Sequence, residues 1–282
     1  MSRLQIPSRR GLLPSHPALV SSTEVPQHCD ETLRLVSLNV AHGRRTATHQ
    51  ALLSRRVAER NVGSIAQVIR ELSPHVVGLQ EADGPSAWSG NFDHVATLAE
   101  RTELPNHVRG DHNHFGFGRF NVQSGTALLS DRPLEQVESH RFGLNWRDTK
   151  GFVVAKVTVP EWRDEEIDVV SVHLDFLRPS VRRRQILRMV DTLLARRRPR
   201  VLLGDLNCCW HREPRSLRLL EETLGLRPHQ PEDLVPTFPV HRPRRRLDWI
   251  LISDELEFGD HHTLHAPLSD HLSIVADLRL RG

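Results

Sequence analysis

Lysine is nearly missing from this chain: it occurs only as Lys150 and Lys156, although arginine and lysine together number 38. The arginine bias suits bidentate contact with phosphates, and a genome-wide codon preference is the plainer reading of it. Cysteine is almost as scarce. Cys29, Cys208 and Cys209 are odd in number and two are adjacent, which excludes the disulfide framework of a small secreted domain. No C-x-x-C occurs and the histidines hold no H-E-x-x-H, so a short-spaced zinc site is excluded. A G-x-x-x-x-G-K-[ST] phosphate loop is absent as well. "GFGRF" (116–120) is no dinucleotide fingerprint, because no strand-to-helix context surrounds it. No apolar run approaches the ~20 residues of a membrane-spanning helix, so integral membrane association is not expected.

What is present is ordinary for a globular domain: 38% hydrophobic and 26% charged residues over 282 positions, enough to bury a sizeable core. A formal charge of +3 with a pI near 9.1 permits a polyanionic partner without demanding one. Residues 1–31 carry four prolines and no hydrophobic period, and read as an irregular or disordered extension. Pro14 and Pro17 break what would be the apolar segment of a signal peptide, so a cytoplasmic protein is expected. Residues 32–282 read as one domain.

Within that domain strand and helix patterns alternate. "LRLVSLNV" is a β-rich run, "VGSIAQVIREL" has helical spacing, and "SPHVVGLQEAD" supplies a turn and a second strand. "HVATLAERTEL" reads as a helix, and 105–124 as a loop. "GTALLSDRPLEQVESHRF", "GFVVAKVTVP" and "EIDVVSVHLD" read as strands. "SVRRRQILRMVDTLLARR" is an amphipathic helix with Val181, Ile186, Met189, Val190 and Leu193 inward and its arginines outward. "RVLLGDLN", a short helix near 214–224, "RLDWILIS" and "LSIVADLRL" complete a mixed α/β domain.

Polar groups recur at the strand ends: Asn39, Glu81, His173, Asp175, Asp205 and Asn207, with Asp270 and His271 before the last strand. Singly, Asn39 is a turn residue, Glu81 a solvated strand end and His173 a structural histidine. Their recurrence points to convergence, because loops and ligands gather at strand ends in α/β sheets. A convergent set of carboxylates, an amide and two histidines without thiols suits Mg²⁺ or Mn²⁺, which keep waters and bridge to phosphate.

In order, "LNVAHG", "VVGLQEAD", "GTALLSDRPL", "VVSVHLD", "VLLGDLN", "RRRLDWILIS" and "LSDHLSIVADL" resemble the endonuclease/exonuclease/phosphatase family, which includes pancreatic deoxyribonuclease, inositol-polyphosphate 5-phosphatases and neutral sphingomyelinases. The resemblance covers 33–280. It implies a deoxyribonuclease-I-like α/β fold: a two-sheet β-sandwich flanked by helices on both outer faces, with the site at one end. It further implies that Asn39 and Glu81 bind the metal and that Asp270 lies close to it. Asp205 would polarise the attacking water, Asn207 hold water or phosphate, His173 contact the scissile phosphate, and Asp248 pair with His271. Arg182 and Gln185 match an R-x-x-Q read as structural support. Such donors are each typically worth about 2.7–4 kcal/mol to a transition state.

The chain departs from the family in having no tyrosine, in Thr126 where many relatives carry asparagine, and in Leu38 where a tryptophan commonly precedes the metal-site asparagine. These weaken an abasic-site endonuclease reading and leave a metal-dependent hydrolase core. The expected activity is hydrolysis of a small or lipid-derived phosphate ester by a monomer. A nuclease on the same core is the alternative, and a non-catalytic binding protein the third reading. Candidate substrate-facing segments are 105–121, where Phe115, Phe117 and Phe120 could stack bases, form a lid or pack beneath the loop, and the arginines 242 and 244–246. Trp88 is a candidate pocket wall or a structural tryptophan. In "GDLNCCW", Gly204 is expected to let the backbone crowd the site, Leu206 to stay in the core, and Cys208 and Cys209 to pack beneath.

Overall fold

The structure, a computed structural model, describes residues 31–144, 149–233 and 235–282, apart from the side chain of Arg119. The expected N-terminal extension, with Cys29, lies almost wholly outside these residues. Two parallel units form the frame. The first is β1 (Leu33–Asn39), α1 (Arg55–Leu72) and β2 (Val76–Asp83). After it come α2 (His94–Thr102), β3 (Asn106–Arg109), β4 (Asn113–Phe115), β5 (Val122–Ser130), β6 (Glu135–Arg141) and β7 (Gly151–Val159). The second unit is β8 (Glu165–His173), α3 (Pro179–Arg196) and β9 (Arg200–Asp205). Then follow α4 (Arg215–Leu224), β10 (Arg227–Pro228), β11 (Asp248–Ile252), β12 (Leu256–Leu264) and β13 (Ser273–Leu280).

One sheet runs β12-β13-β1-β2-β5-β3, with β4 also on β5; the other runs β10-β11-β9-β8-β7-β6. They stack face to face. Alternation along β1 sends Leu33 and Leu35 between the sheets, where they meet Val153, Val201 and Leu203. The same alternation sends Val36 and Leu38 outward, under Val62, Ile65 and Ile69 of α1 and Leu98 of α2. On the other outer face Ile186, Met189 and Leu193 of α3 and Leu217 and Leu220 of α4 cover Val170, Leu202 and Trp249. These are the four layers the family resemblance implied. Gly78 lets the sheets close, since a Cβ there would lie 1.5 Å from Leu203 Cδ1 of the facing sheet.

Two expectations are corrected, and one strand was not foreseen. The segment 105–124 is not a plain loop: it adds β3 and β4 as short strands along β5. β12 pairs along β13 although "LEFGDHHTL" shows no alternation, as befits an edge strand half in water. The arginines of α3 do not all face solvent. Arg182 is buried and donates to Asp175 O and to Glu213 Oε2, both at 2.9 Å.

Candidate active site

Each parallel unit brings two polar strand ends to the same end of the sandwich. Asn39 lies beside Gln80 in the β1–β2 register, and His173 beside Asp205 in the β8–β9 register. Glu81 arrives by a bulge. Leu79 and Ala82 both pack under α1 and α2, which a period of two forbids for residues three apart. The β2–β5 register shifts between them, and Glu81 takes a left-handed φ of 51°. Gln80 stays between the sheets, its Nε2 donating to Ser171 Oγ at 3.2 Å. The extra residue thus turns Glu81 into the mouth of the site.

Basic side chains surround that carboxylate. His42 Nε2 stands 3.5 Å from Glu81 Oε2 and Lys150 Nζ 3.6 Å from Oε1, both longer than a hydrogen bond. Burial alone would raise the Glu81 pKa, but His42 and Lys150 hold it below the usual carboxylate range. His42 is oriented by Asp83, whose Oδ1 is 2.7 Å from Nδ1 and whose Oδ2 accepts Trp88 Nε1–H at 2.8 Å. Burial opposes protonation of His42, and Asp83 and Glu81 raise its pKa nonetheless. Lys150 Nζ also lies 2.9 and 3.0 Å from the two ring nitrogens of His173. Burial and this ammonium push His173 well below its ordinary pKa.

The second sheet supplies a tight acid–imidazole group. Asp205 Oδ2 accepts Asn39 Nδ2–H at 3.1 Å and lies 3.5 Å from His173 Nε2 and 3.8 Å from His271 Nε2. Its Oδ1 accepts the Asn207 N–H at 3.0 Å. His271 Nδ1 is 2.8 Å from Asp248 Oδ2, which also accepts the Thr237 hydroxyl at 2.5 Å. Burial pushes the Asp205 pKa up to about 7. Burial would lower His271, but Asp248 and Asp205 raise it to about 10. Two buried carboxylates therefore share one imidazolium.

Of the residues singled out from sequence, Asn39, Glu81, His173, Asp205, Asp248 and His271 come together. Asn207 is adjacent, its Nδ2 donating to Leu174 O at 3.1 Å. Asp270 is engaged elsewhere, its Oδ2 accepting Arg44 at 2.6 Å. Asp175 turns to the start of α3, its Oδ1 accepting the N–H groups of Leu177 and Arg178, while Gln185 Oε1 holds the Asp175 N–H. Gly204 crowds the neighbouring strand rather than the site, because a Cβ there would lie 1.9 Å from Val172 O. Leu206 and Cys208 are buried under α3 and α4, and burial raises the Cys208 pKa; Cys209 is half-buried. Arg246 is buried too, stacked 4.1 Å over Trp249 and donating to His229 O and Gln230 O.

His42, Asp83 and Lys150 were not foreseen. Lys150 had a signal: it is one of two lysines in a chain that otherwise uses arginine. A cavity of about 110 Å³ opens beside these groups, lined by Glu81, His173, Lys150, Trp88, His112 and Thr126 among others. His112 Nε2 lies 3.0 Å from Thr126 Oγ1, and burial lowers its pKa to about 3.

The donor set fits a hard cation. The Glu81 carboxylate meets His42 and Lys150 only beyond hydrogen-bond length, carboxylate oxygens of Asp205 and Asp248 lie within 4.8 Å of each other, and among the described residues Asp248 Oδ1 is buried without a hydrogen-bond partner. Oxygen donors of this kind suit Mg²⁺ or Mn²⁺.

A two-sheet sandwich with helices outside and an acid–amide–imidazole cluster at one end defines a deoxyribonuclease-I-like protein. The sequence model described as Endonuclease/Exonuclease/phosphatase family matches residues 36–271, and the chain belongs to that family, whose members are generally hydrolases of phosphoester bonds. Among similar solved structures, an endonuclease/exonuclease/phosphatase from Beutenbergia cavernae is 21% identical over 89% of this chain and 72% of its own, with a TM-score of 0.70. The human nocturnin catalytic domain with bound sulfate is 18% identical over 89% and 94%, TM-score 0.64. A mannosyl-6-phosphatase from Bacteroides thetaiotaomicron is 14% identical over 87% and 99%, TM-score 0.66. At these identities the likeness establishes the fold alone. No curated protein matches the chain.

Proposed function

We propose that this chain is a divalent-metal-dependent hydrolase of phosphate esters of small or lipid-derived alcohols, acting by in-line attack of water. The observation that carries the reading is the buried Asp205–Asp248–His271 group next to Glu81 and Asn39. Glu81 and Asn39 would hold Mg²⁺ or Mn²⁺, which supplies Lewis acidity to a phosphoryl oxygen.

Asp205 takes the proton of the attacking water. Its pKa of about 7 makes it a stronger base than an ordinary aspartate while leaving much of it ionised near neutrality. Asn207, whose N–H fixes Asp205 Oδ1, holds the water or a phosphoryl oxygen. His271 stays protonated, clamped by Asp248, and directs Nε2–H at the phosphate, so it stabilises charge and does not act as the base. His173 is neutral and serves as a donor, with Lys150 beside it as a fixed cation. Asp270 positions Arg44.

Bis-p-nitrophenyl phosphate and plasmid DNA, each offered with Mg²⁺, Mn²⁺ or EDTA to wild type and to Asp205→Asn, test this. Metal-dependent turnover of the small ester, lost in the variant, is expected. Equal rates for the two proteins would sink the mechanism, and cleavage confined to DNA would move the assignment to a nuclease.

A further inference from the structure

Five large apolar side chains stand exposed on two loops beside this site. Phe115, at 53% exposure, ends β4, and Phe117 and Phe120, at 92 and 69%, lie on the turn to β5; Phe176 and Leu177, at 63 and 68%, follow β8. Phe115 meets Trp88 edge-on with ring centroids 6.0 Å apart, and Trp88 lines the same cavity as His173. Phe176 lies three residues beyond His173. One loop comes from each sheet, and both leave it at the end that carries the site. Single exposed apolar residues are common and call for no explanation; a set concentrated around one opening does. Phe117 sits between Gly116 and Gly118, both with positive φ, at the tip of a tight turn.

Arginine accompanies the apolar groups. Arg178 is exposed beside Leu177, and Arg244 and Arg245 are exposed on the loop before β11. Arg245 packs 4.9 Å over Phe238, which itself contacts the His271 ring at 4.7 Å. Of the nearby acids, Asp111 pairs with Arg109 and Asp175 with backbone N–H groups, while Asp233 is exposed in the cleft that Arg244 lines.

We propose that this apolar, arginine-flanked rim docks the protein on an anionic phospholipid bilayer with the mouth of the site against the headgroups. Stable interfacial binding needs two signals, inserted apolar groups and cationic attraction, and both are present around one opening. A single-stranded nucleic acid would instead want ring faces lining a groove; Leu177 has no such face and Phe117 projects clear of the surface. Docking stands independently of catalysis. The corollary that phospholipid headgroups reach the site rests on the hydrolase reading.

Flotation of the full chain with vesicles tests the surface, comparing phosphatidylcholine alone with an equal mixture of phosphatidylcholine and phosphatidylglycerol. Wild type is expected to float with the mixed vesicles and to be released by salt. Phe117→Asp and Leu177→Asp should each reduce the bound fraction about tenfold or more while hydrolysing bis-p-nitrophenyl phosphate as wild type does. Absence of wild-type flotation, or variants that float equally well, would overturn the proposal. So would a dimer in solution that Phe117→Asp splits, or an oligonucleotide affinity that this variant loses while vesicles are ignored. Flotation without hydrolysis removes the hydrolase reading alone, and hydrolysis without flotation removes the docking surface alone.

Discussion

The two ends of the sandwich handle buried charge in opposite ways. At the end away from the site Arg34 grips Asp277 with two bonds, Nε to Oδ1 at 2.7 Å and Nη2 to Oδ2 at 2.9 Å, and spends Nη1 on Leu72 O. Asp168, at the start of β8, faces two guanidinium groups, Arg196 at 2.8 Å and Arg198 at 3.6 Å. Five residues further along the same strand, where His173 lies beside Asp205 of β9, the balance reverses. Asp205 and Asp248 share His271. Where each buried acid has its own guanidinium, the charge fixes strands; where acids outnumber their partners, pKa values move and chemistry becomes available.

Two substitutions of similar size should separate these roles. Asp205→Asn keeps shape and removes one of two crowded carboxylates, so catalysis should fall about 10³-fold while the urea midpoint holds or rises. Arg34→Met strands a buried Asp277 and should cost about 3–5 kcal/mol of stability, with activity per folded molecule retained. The contrast fails if Asp205→Asn unfolds the protein or if Arg34→Met leaves the midpoint unmoved. Lys150→Met should be next in size, lowering kcat/KM about 10²-fold with an unchanged midpoint; an unaffected rate would make Lys150 a mere neighbour of the site.

The pH–rate profile follows with the sign fixed by roles. Activity should rise as Asp205 ionises through about 7 and fall as His271 loses its proton near about 10. A bound cation beside Asp205 moves the rising limb lower, never higher. A rate that falls through neutrality would reverse the assignments of base and cation.

Much of this architecture could be read from residue order. The strand ends carrying Asn39, Glu81, His173, Asp205 and Asn207 stood out because apolar runs stop there abruptly. Their convergence was legible only through the family resemblance, since no local pattern relates β2 to β9. The bulge at Glu81 was not legible: it exists because Leu79 and Ala82 both pack beneath helices, a tertiary demand. β12 was hidden by its own exposure, as Glu257, Asp260 and His262 give an edge strand no apolar period. Asp270 was expected close to the metal, and its bond to Arg44, which arrives from a distant loop, was not legible in sequence. Arg246 looks like a surface cation in sequence, whereas Arg182 was read as structural support; each is buried through backbone carbonyls supplied by other segments.

The smallest expected effect concerns a histidine that burial holds neutral. His112 is 1% exposed, is bonded to the Thr126 hydroxyl and, among the described residues, has no carboxylate against its ring; burial, with His140, Arg141 and Lys150 adding to it, lowers its pKa to about 3. In the unfolded chain it titrates near the ordinary value of about 6.5. Between those values the unfolded state binds the proton and the folded state does not, so folding weakens as pH falls through that window and is unaffected above it. One such site contributes a slope of about 1.4 kcal/mol per pH unit. His112→Gln keeps a group able to bond Thr126 and cannot titrate. Urea midpoints measured from pH 7 down to about 5, within that window, should fall less steeply for this variant than for wild type. Parallel curves would mean that His112 is protonated in the folded protein, and that burial at the site end does not exclude charge as the far end's guanidinium pairs accommodate it.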